Sequence, residues 1–348
     1  MKIILSRLLR LLITIIILLS IPLGVLSYWT LFLPGHDDHS LEAQRANLLT
    51  SLEFSADQPR QPIILVHGLW AANADGKSAC AAKDGPFSQE ALILDKRFVP
   101  LGQLGEWLRA DGYEPYYMIL ATSPDYTASL ADNGHCMEQQ LRNLKERLQS
   151  KPGVKYTVIG HSMGGLVTRA CLAQSEFCRS MIDRVITLGT PHNGAAGFYA
   201  LKTGRKDCAA DPGFCEMADQ ARIKAFNAQA PNLPGIYYTF IGGTWGLLDR
   251  AVHFLEENDG VVNAWSAIGM ITNPQGQPEF ADWVKPNPPA IYFVNNKHII
   301  SRRSGYAYYE APALRQKSEA YACIRYALGK LAERPAVCRI PAQSAPAP

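Results

Sequence analysis

One stretch constrains this chain more than any other: VIGHSMGGLVTRA, Val158 to Ala170. An alternating apolar run, KYTVI, precedes it, and a proline-free segment, MGGLVTRACLAQ, follows with Leu166, Ala170 and Leu172 placed for packing. Extended chain therefore passes into helix across Gly160-His161-Ser162-Met163-Gly164. A reversal that sharp leaves no room for side chains at its flanks, which accounts for the glycines, and it holds Ser162 at the apex in a strained conformation. A serine lifted out of a sheet in this way is a candidate nucleophile. The competing reading is a glycine-rich turn that serves only to pack a helix on a sheet.

Neighbouring segments decide what kind of sheet this is. QPIILVHGLW is a β-branched apolar run that stops at His67-Gly68, and further strands are expected in EPYYMIL (Glu114 to Leu120), KYTVIG, DRVITLG, GIYYTFIGG (Gly235 to Gly243) and AIYFV. CMEQQLRNLKERLQS reads as an amphipathic helix, with Met137, Leu141, Leu144 and Leu148 on one face. Strands alternating with helices predict an α/β fold whose mostly parallel sheet is covered on both faces. Ligands in such folds bind at the carboxyl ends of strands, where Ser162 stands. Between Gly194 and Gly235 the alternation lapses, so residues 195–235 are a candidate lid inserted into a domain spanning 59–340.

A serine hydroxyl needs a base, and the base needs an acid to orient it. Histidines are scarce after Ser162: only His192, His253 and His298 remain. In a strand–G-x-S-x-G–helix architecture the partners follow in the order serine, acid, histidine. His192 precedes any convincing acid and His253 precedes the best one, which leaves His298, just beyond AIYFV. For the acid, Asp259 sits in an Asn-Asp-Gly turn ahead of an apolar run, and Asp249 is the alternative. The oxyanion of an acyl intermediate requires two converging backbone donors. Met163, which opens the helix, supplies one, and Leu69, in the loop after the first strand, supplies the other. His67 is expected to brace that loop rather than transfer protons.

These islands, ILVHGLW, VIGHSMGGLVTR, VITLGTPHNG, YYTFIGG and NDGVVNAWSAIG with a late NNKH, occur in an order that resembles the α/β-hydrolase fold. Within it they are similar to bacterial true lipases of the Pseudomonas and Burkholderia type, over most of residues 60 to 300. The resemblance implies Ser162 as nucleophile, Asp259 as orienting acid, His298 as general base, and Leu69 and Met163 as oxyanion amides. It also implies a calcium site in an acidic stretch after the histidine. Here His298 is followed instead by the basic and aromatic IISRRSGYAYY, so no cofactor is expected and calcium is not carried over.

Charge and cysteine place the chain. Lys2, Arg7 and Arg10 account for the net charge of +3, because the other Lys and Arg equal the 31 Asp and Glu, and a neutral body gives no support for a nucleic-acid partner, so none is expected. From Leu11 to Leu33 nothing is charged, enough for the ~20 residues of a membrane span. Residues 1–35 are therefore expected to form a single-pass anchor and 36–58 a stalk, with a cleaved secretory signal as the alternative. Bases before the span and the acidic GHDDHSLE after it put the body on the extracytoplasmic side. All eight cysteines follow the span, which suggests disulfides, and no C-x-x-C argues for zinc. Short spacings favour 171/178 and 208/215, leaving 80/136 and 323/338.

Together these readings point to hydrolysis of a lipid or other carboxylic ester beside a membrane. The same triad would serve an acyltransferase or a phospholipid or lipid-anchor deacylase. A non-catalytic binding scaffold would be expected to lack one of the three residues. The sequence carries no signal for or against a folding partner.

Overall fold

Among the described residues six strands form one all-parallel sheet, and the strands follow from the apolar runs. In chain order they begin with β1 (Pro62–Val66) and β2 (Glu114–Met118), with helix α1 (Gly102–Ala110) leading into β2. The computed structural model describes residues 62–69, 101–123, 126–148, 153–195, 208–209, 211–244, 259, 261–294, 298 and 318–340. A small hairpin, β3 (Thr122–Ser123) with β4 (Tyr126–Thr127), precedes helix α2 (Leu130–Leu148). Then come β5 (Tyr156–His161), α3 (Met163–Gln174), α4 (Glu176–Met181), β6 (Ile182–Leu188), α5 (Pro212–Ala218), α6 (Gln220–Gln229) and β7 (Tyr237–Gly243). The chain continues through α7 (Ala264–Ala267), a hairpin of β8 (Met270–Thr272) and β9 (Pro278–Phe280), then β10 (Ala290–Val294) and α8 (Glu319–Ala327).

The order across the sheet is β10-β7-β6-β5-β1-β2. The chain leaves β1 toward β2 on one side, then returns to β5 on the other. The crevice between the carboxyl ends of β1 and β5 is thus the topological switch point, where ligands bind in open parallel sheets. Register sharpens this: Val66 pairs with Gly160, so the residues after β1 lie directly against the turn after β5.

Strand alternation sorts the core into two faces. Ile64 and Val66 join Val158, Val185 and Phe240 on the side covered by α2 and α3, with Met137, Leu141 and Leu144 facing them. Ile63 and Leu65 join Ile159, Ile186 and Ile241 on the side covered by α1 and α8. The expected helix is present, but it begins at Leu130 rather than near Cys136. Its polar first turns are helical because tertiary contacts hold them: Asn133 Oδ1 accepts from the Ala121 amide at 2.8 Å, and the Glu216 carboxylate accepts from the Leu130 amide at 2.6 Å.

Disulfides join Cys171 to Cys178, Cys208 to Cys215 and Cys323 to Cys338, with Cα–Cα distances of 5.9, 5.7 and 5.6 Å. Cys136 is disulfide-bonded as well, and the expected partner Cys80 lies outside the described residues. Among the described residues no helix is long and apolar enough to cross a membrane. The expected anchor over 1–35 and stalk over 36–58 lie outside them.

Candidate active site

The strand-to-helix turn has the geometry its glycines suggested. Ser162 has φ 53° and ψ −127°, one of two non-glycine residues with positive φ among those described. It occupies the N-cap of α3, yet its side chain makes no capping hydrogen bond, so the hydroxyl is not engaged by its own helix. Its amide donates to Leu188 O at 3.0 Å, which carries the β5–β6 ladder into the turn. Each motif glycine meets a neighbour where a Cβ would stand: Gly160 meets the Gly165 amide nitrogen at 2.7 Å, and Gly164 meets the carbonyls of Val66 and His67. The strain at Ser162 is sustained by this close packing on three sides.

The loop after β1 is braced by His67, as expected. Its Nδ1–H donates to Gly68 O at 2.8 Å, and its Nε2 accepts from the Leu120 amide at 3.0 Å. Burial lowers its pKa to about 4, opposed by the Gly68 hydrogen bond, so the ring is neutral and its tautomer fixed. Gly68 sits against the serine: a Cβ there would lie 2.6 Å from Ser162 Cβ and 3.2 Å from Ser162 Oγ. Leu69 follows, half-buried, with its side chain against the core. Met163 is fully buried at the first position of α3.

Asp259 and His298 come together from two different loops. His298 Nδ1 lies 2.8 Å from Asp259 Oδ2, and both side chains are buried. A carboxylate in this pairing accepts, so Nδ1 carries the hydrogen, and in the neutral ring Nε2 is the nitrogen that can accept a proton. The other carboxylate oxygen, Oδ1, accepts from the amides of Val261 and Val262 at 3.1 and 2.8 Å. The His298 amide donates to Asp259 O at 2.9 Å. These contacts fix the acid through both its backbone and its side chain, while Asn258 and Gly260 lie outside the described residues. The alternative, Asp249, lies outside the described residues.

Ser162 is brought to the same end of the sheet through its neighbour. The rings of His161 and His298 are 4.7 Å apart between centroids, and His161 Nε2 is 3.0 Å from His298 O. No hydrogen bond joins Ser162 Oγ to His298 among the described residues, a link that in such sites commonly tightens only with substrate. His161 was missed by reading the motif for its serine and glycines alone. The signal was its place at the last strand position before the turn.

His192 lies elsewhere. It is buried, within 3.1 Å of Thr187 Oγ1 and 3.3 Å of Arg169 Nη1, and stacks on Phe240 at 4.2 Å. Burial and then the Arg169 charge hold its pKa well below the ordinary histidine value. Arg169 is itself buried, lying 3.6 Å over Trp283 and donating to Ala230 O, and burial lowers its pKa to about 9. This cluster packs β6 against the segment that follows α6. Phe226 packs here under Arg169. The segment after His298 that bears on calcium lies outside the described residues. Among the described residues no cluster of His, Cys, Asp or Glu could hold a metal ion.

Residues 60–200 match the family model of the PGAP1-like alpha/beta domain. A solved structure similar to this chain is phospholipase PlaB from Legionella pneumophila, with a TM-score of 0.50 and 15% identity over 76% of this chain and 59% of that one. The fold is a lipase-like α/β-hydrolase fold. Another similar structure is the Bacillus licheniformis lipase BlEst2 in its mature form, at 21% identity and a TM-score of 0.43, covering 61% of this chain and 80% of that one. Two curated relatives are also similar. GPI inositol-deacylase B of Yarrowia lipolytica is 29% identical over 162 residues, 43% of this chain and 16% of the relative. GPI inositol-deacylase of Rattus norvegicus is 46% identical over 44 residues, 13% of this chain and 5% of the relative. The match therefore spans less than a fifth of either relative.

Proposed function

We propose that this α/β-hydrolase is a serine carboxylic-ester hydrolase acting on lipid esters through an acyl-enzyme. The observation that carries the reading is the Asp259–His298 hydrogen bond at 2.8 Å, formed beside a positive-φ serine at the switch point of the sheet. With Nδ1–H committed to Asp259, His298 Nε2 takes the Ser162 proton while Oγ attacks the ester carbonyl carbon. The Leu69 and Met163 amides hold the oxyanion. Collapse expels the alcohol, which receives the proton from His298, and water repeats the sequence to release the acid. The site as proposed needs no cofactor.

The motifs that resemble Pseudomonas and Burkholderia lipases support a lipase or esterase. The match to a PGAP1-like domain, with relatives named GPI inositol-deacylases, favours one member of that class: removal of an acyl chain esterified to the headgroup of a lipid anchor. Transfer of the acyl group to an alcohol or lysolipid is the other outcome the same triad permits. The apolar run from Leu11 to Leu33 suits such substrates as a single-pass anchor, with the catalytic domain on the extracytoplasmic face. Residues 195–235, with α5 and α6 within them, are proposed as the lid.

The test is turnover of p-nitrophenyl butyrate and palmitate, and of an acylated inositol phospholipid followed by mass spectrometry, beside Ser162→Ala, His298→Ala and Asp259→Asn. The reading expects both alanine variants at background. It expects Asp259→Asn to be reduced by about 10²–10⁴-fold, because His298 loses its tautomer. Release of free fatty acid identifies hydrolysis, and an acylated acceptor identifies transfer. A folded Ser162→Ala with wild-type turnover would overturn the reading.

A further inference from the structure

His161 is the residue of the turn that the ester chemistry leaves unused. It ends β5, pairs with Leu188 in the ladder, and is buried. Strand alternation puts its side chain on the face that carries Ile159. There its ring meets that of His298 at a tilt of 43°. A carbonyl only accepts, so the 3.0 Å contact is a donation from His161 Nε2–H to His298 O.

This bond joins the two halves of the proposed triad. His298 is tied to Asp259 by its amide, at 2.9 Å, and by Nδ1, at 2.8 Å. Those two bonds fix base to acid but say nothing about the serine. β5 and the strand before His298, β10, are separated in the sheet by β6 and β7. Among the described residues, the bond from His161 links His298 to the end of β5, the strand that leads into Ser162. We infer that His161 is a positioning residue: by clamping the His298 carbonyl to the end of β5, it sets the reach from Ser162 Oγ to His298 Nε2.

Two adjacent histidines would compete as bases if both titrated near neutrality. Burial first, and then the neighbouring His298, hold the His161 pKa well below the ordinary value. It therefore remains a neutral donor while His298 takes the proton.

The inference rests on the ester-hydrolase reading, so the experiment is arranged to separate the two. Steady-state kcat and KM with p-nitrophenyl butyrate are compared for the full chain, His161→Phe, His161→Gln and Ser162→Ala, with thermal melts for each. Phenylalanine fills the space without a donor, whereas glutamine restores one. His161→Phe is expected to keep KM and lose kcat by about 10²-fold, the scale of an ångström of misplacement, while His161→Gln recovers most of the loss. Wild-type kcat in His161→Phe, a loss carried by KM, or a folded His161→Gln as impaired as His161→Phe would each overturn the clamp. Should His161→Phe fail to fold, His161→Asn replaces it: its amide falls short of the carbonyl, so equality with His161→Gln overturns the inference and a lower kcat supports it. Residual wild-type turnover in Ser162→Ala would overturn the underlying reading as well. An inactive Ser162→Ala beside an unimpaired His161→Phe would overturn the clamp alone.

Discussion

Replacing Gly68 with alanine adds one methyl group at a crowded point of the candidate site, directly against Ser162. The added Cβ would stand 2.6 Å from Ser162 Cβ, 3.2 Å from Ser162 Oγ and 3.2 Å from His161 O. Two carbons rest at about 3.5–4.0 Å, so the loop and the turn must separate by about 1 Å. Gly68 is not among the positive-φ glycines, which makes the effect steric rather than conformational. Neither partner gives way cheaply: Ser162 Cβ is fixed by a strained backbone packed on Gly160 and Gly164, and the Gly68 loop is held through His67. Overpacking of this kind costs about 1–3 kcal/mol of stability. The displacement lies between the proposed nucleophile and the Leu69 amide, so the larger effect is expected in kcat, about 10²-fold or ~2.7 kcal/mol of transition-state stabilisation. Steady-state kinetics with p-nitrophenyl butyrate and urea melts of Gly68→Ala read the two effects separately. A variant with wild-type kcat would refute the idea that this loop and Ser162 form one reacting surface.

Two further outcomes follow from the rest of the structure. His67 has a folded pKa of about 4 against an ordinary 6.5, so between these values the unfolded chain binds more protons and stability falls as pH is lowered. The loss approaches ~3 kcal/mol by pH 4, and His67→Gln should flatten that part of the urea-midpoint curve; an unchanged slope would show that His67 is not buried neutral. The Cys323–Cys338 bridge closes a separation of 15 residues between α8 and the segment that pairs with β10, so Cys323→Ala/Cys338→Ala should lose about 3 kcal/mol in chemical denaturation, with ester turnover retained because the bridge lies outside the site.

Much of this arrangement was legible in the sequence because it is local or nearly so. Buried parallel strands read as apolar runs, and PIILV, YTVIGH and AIYFV became β1, β5 and β10. The sharp turn at Ser162 was legible in the glycines it requires, and the Asp259 carboxylate is tied to its own neighbours Val261 and Val262. His298 was singled out by elimination, and the structure places it against Asp259. Residues whose roles depend on distant partners were harder to see. The early start of α2 at Leu130 depends on Glu216 from α5, and the Arg169 side chain finds Trp283 more than a hundred positions away. His161 reaches His298 from three strands off, a relation that no local pattern encodes.

The central claim, that Ser162 is a nucleophile activated by His298, is tested most directly by intact-mass spectrometry after exposure to a serine-directed fluorophosphonate, followed by peptide mapping. The account predicts one adduct, on the peptide that holds Ser162, abolished in Ser162→Ala and strongly slowed in His298→Ala. A folded protein that gains no adduct, or gains one on another serine, would contradict it.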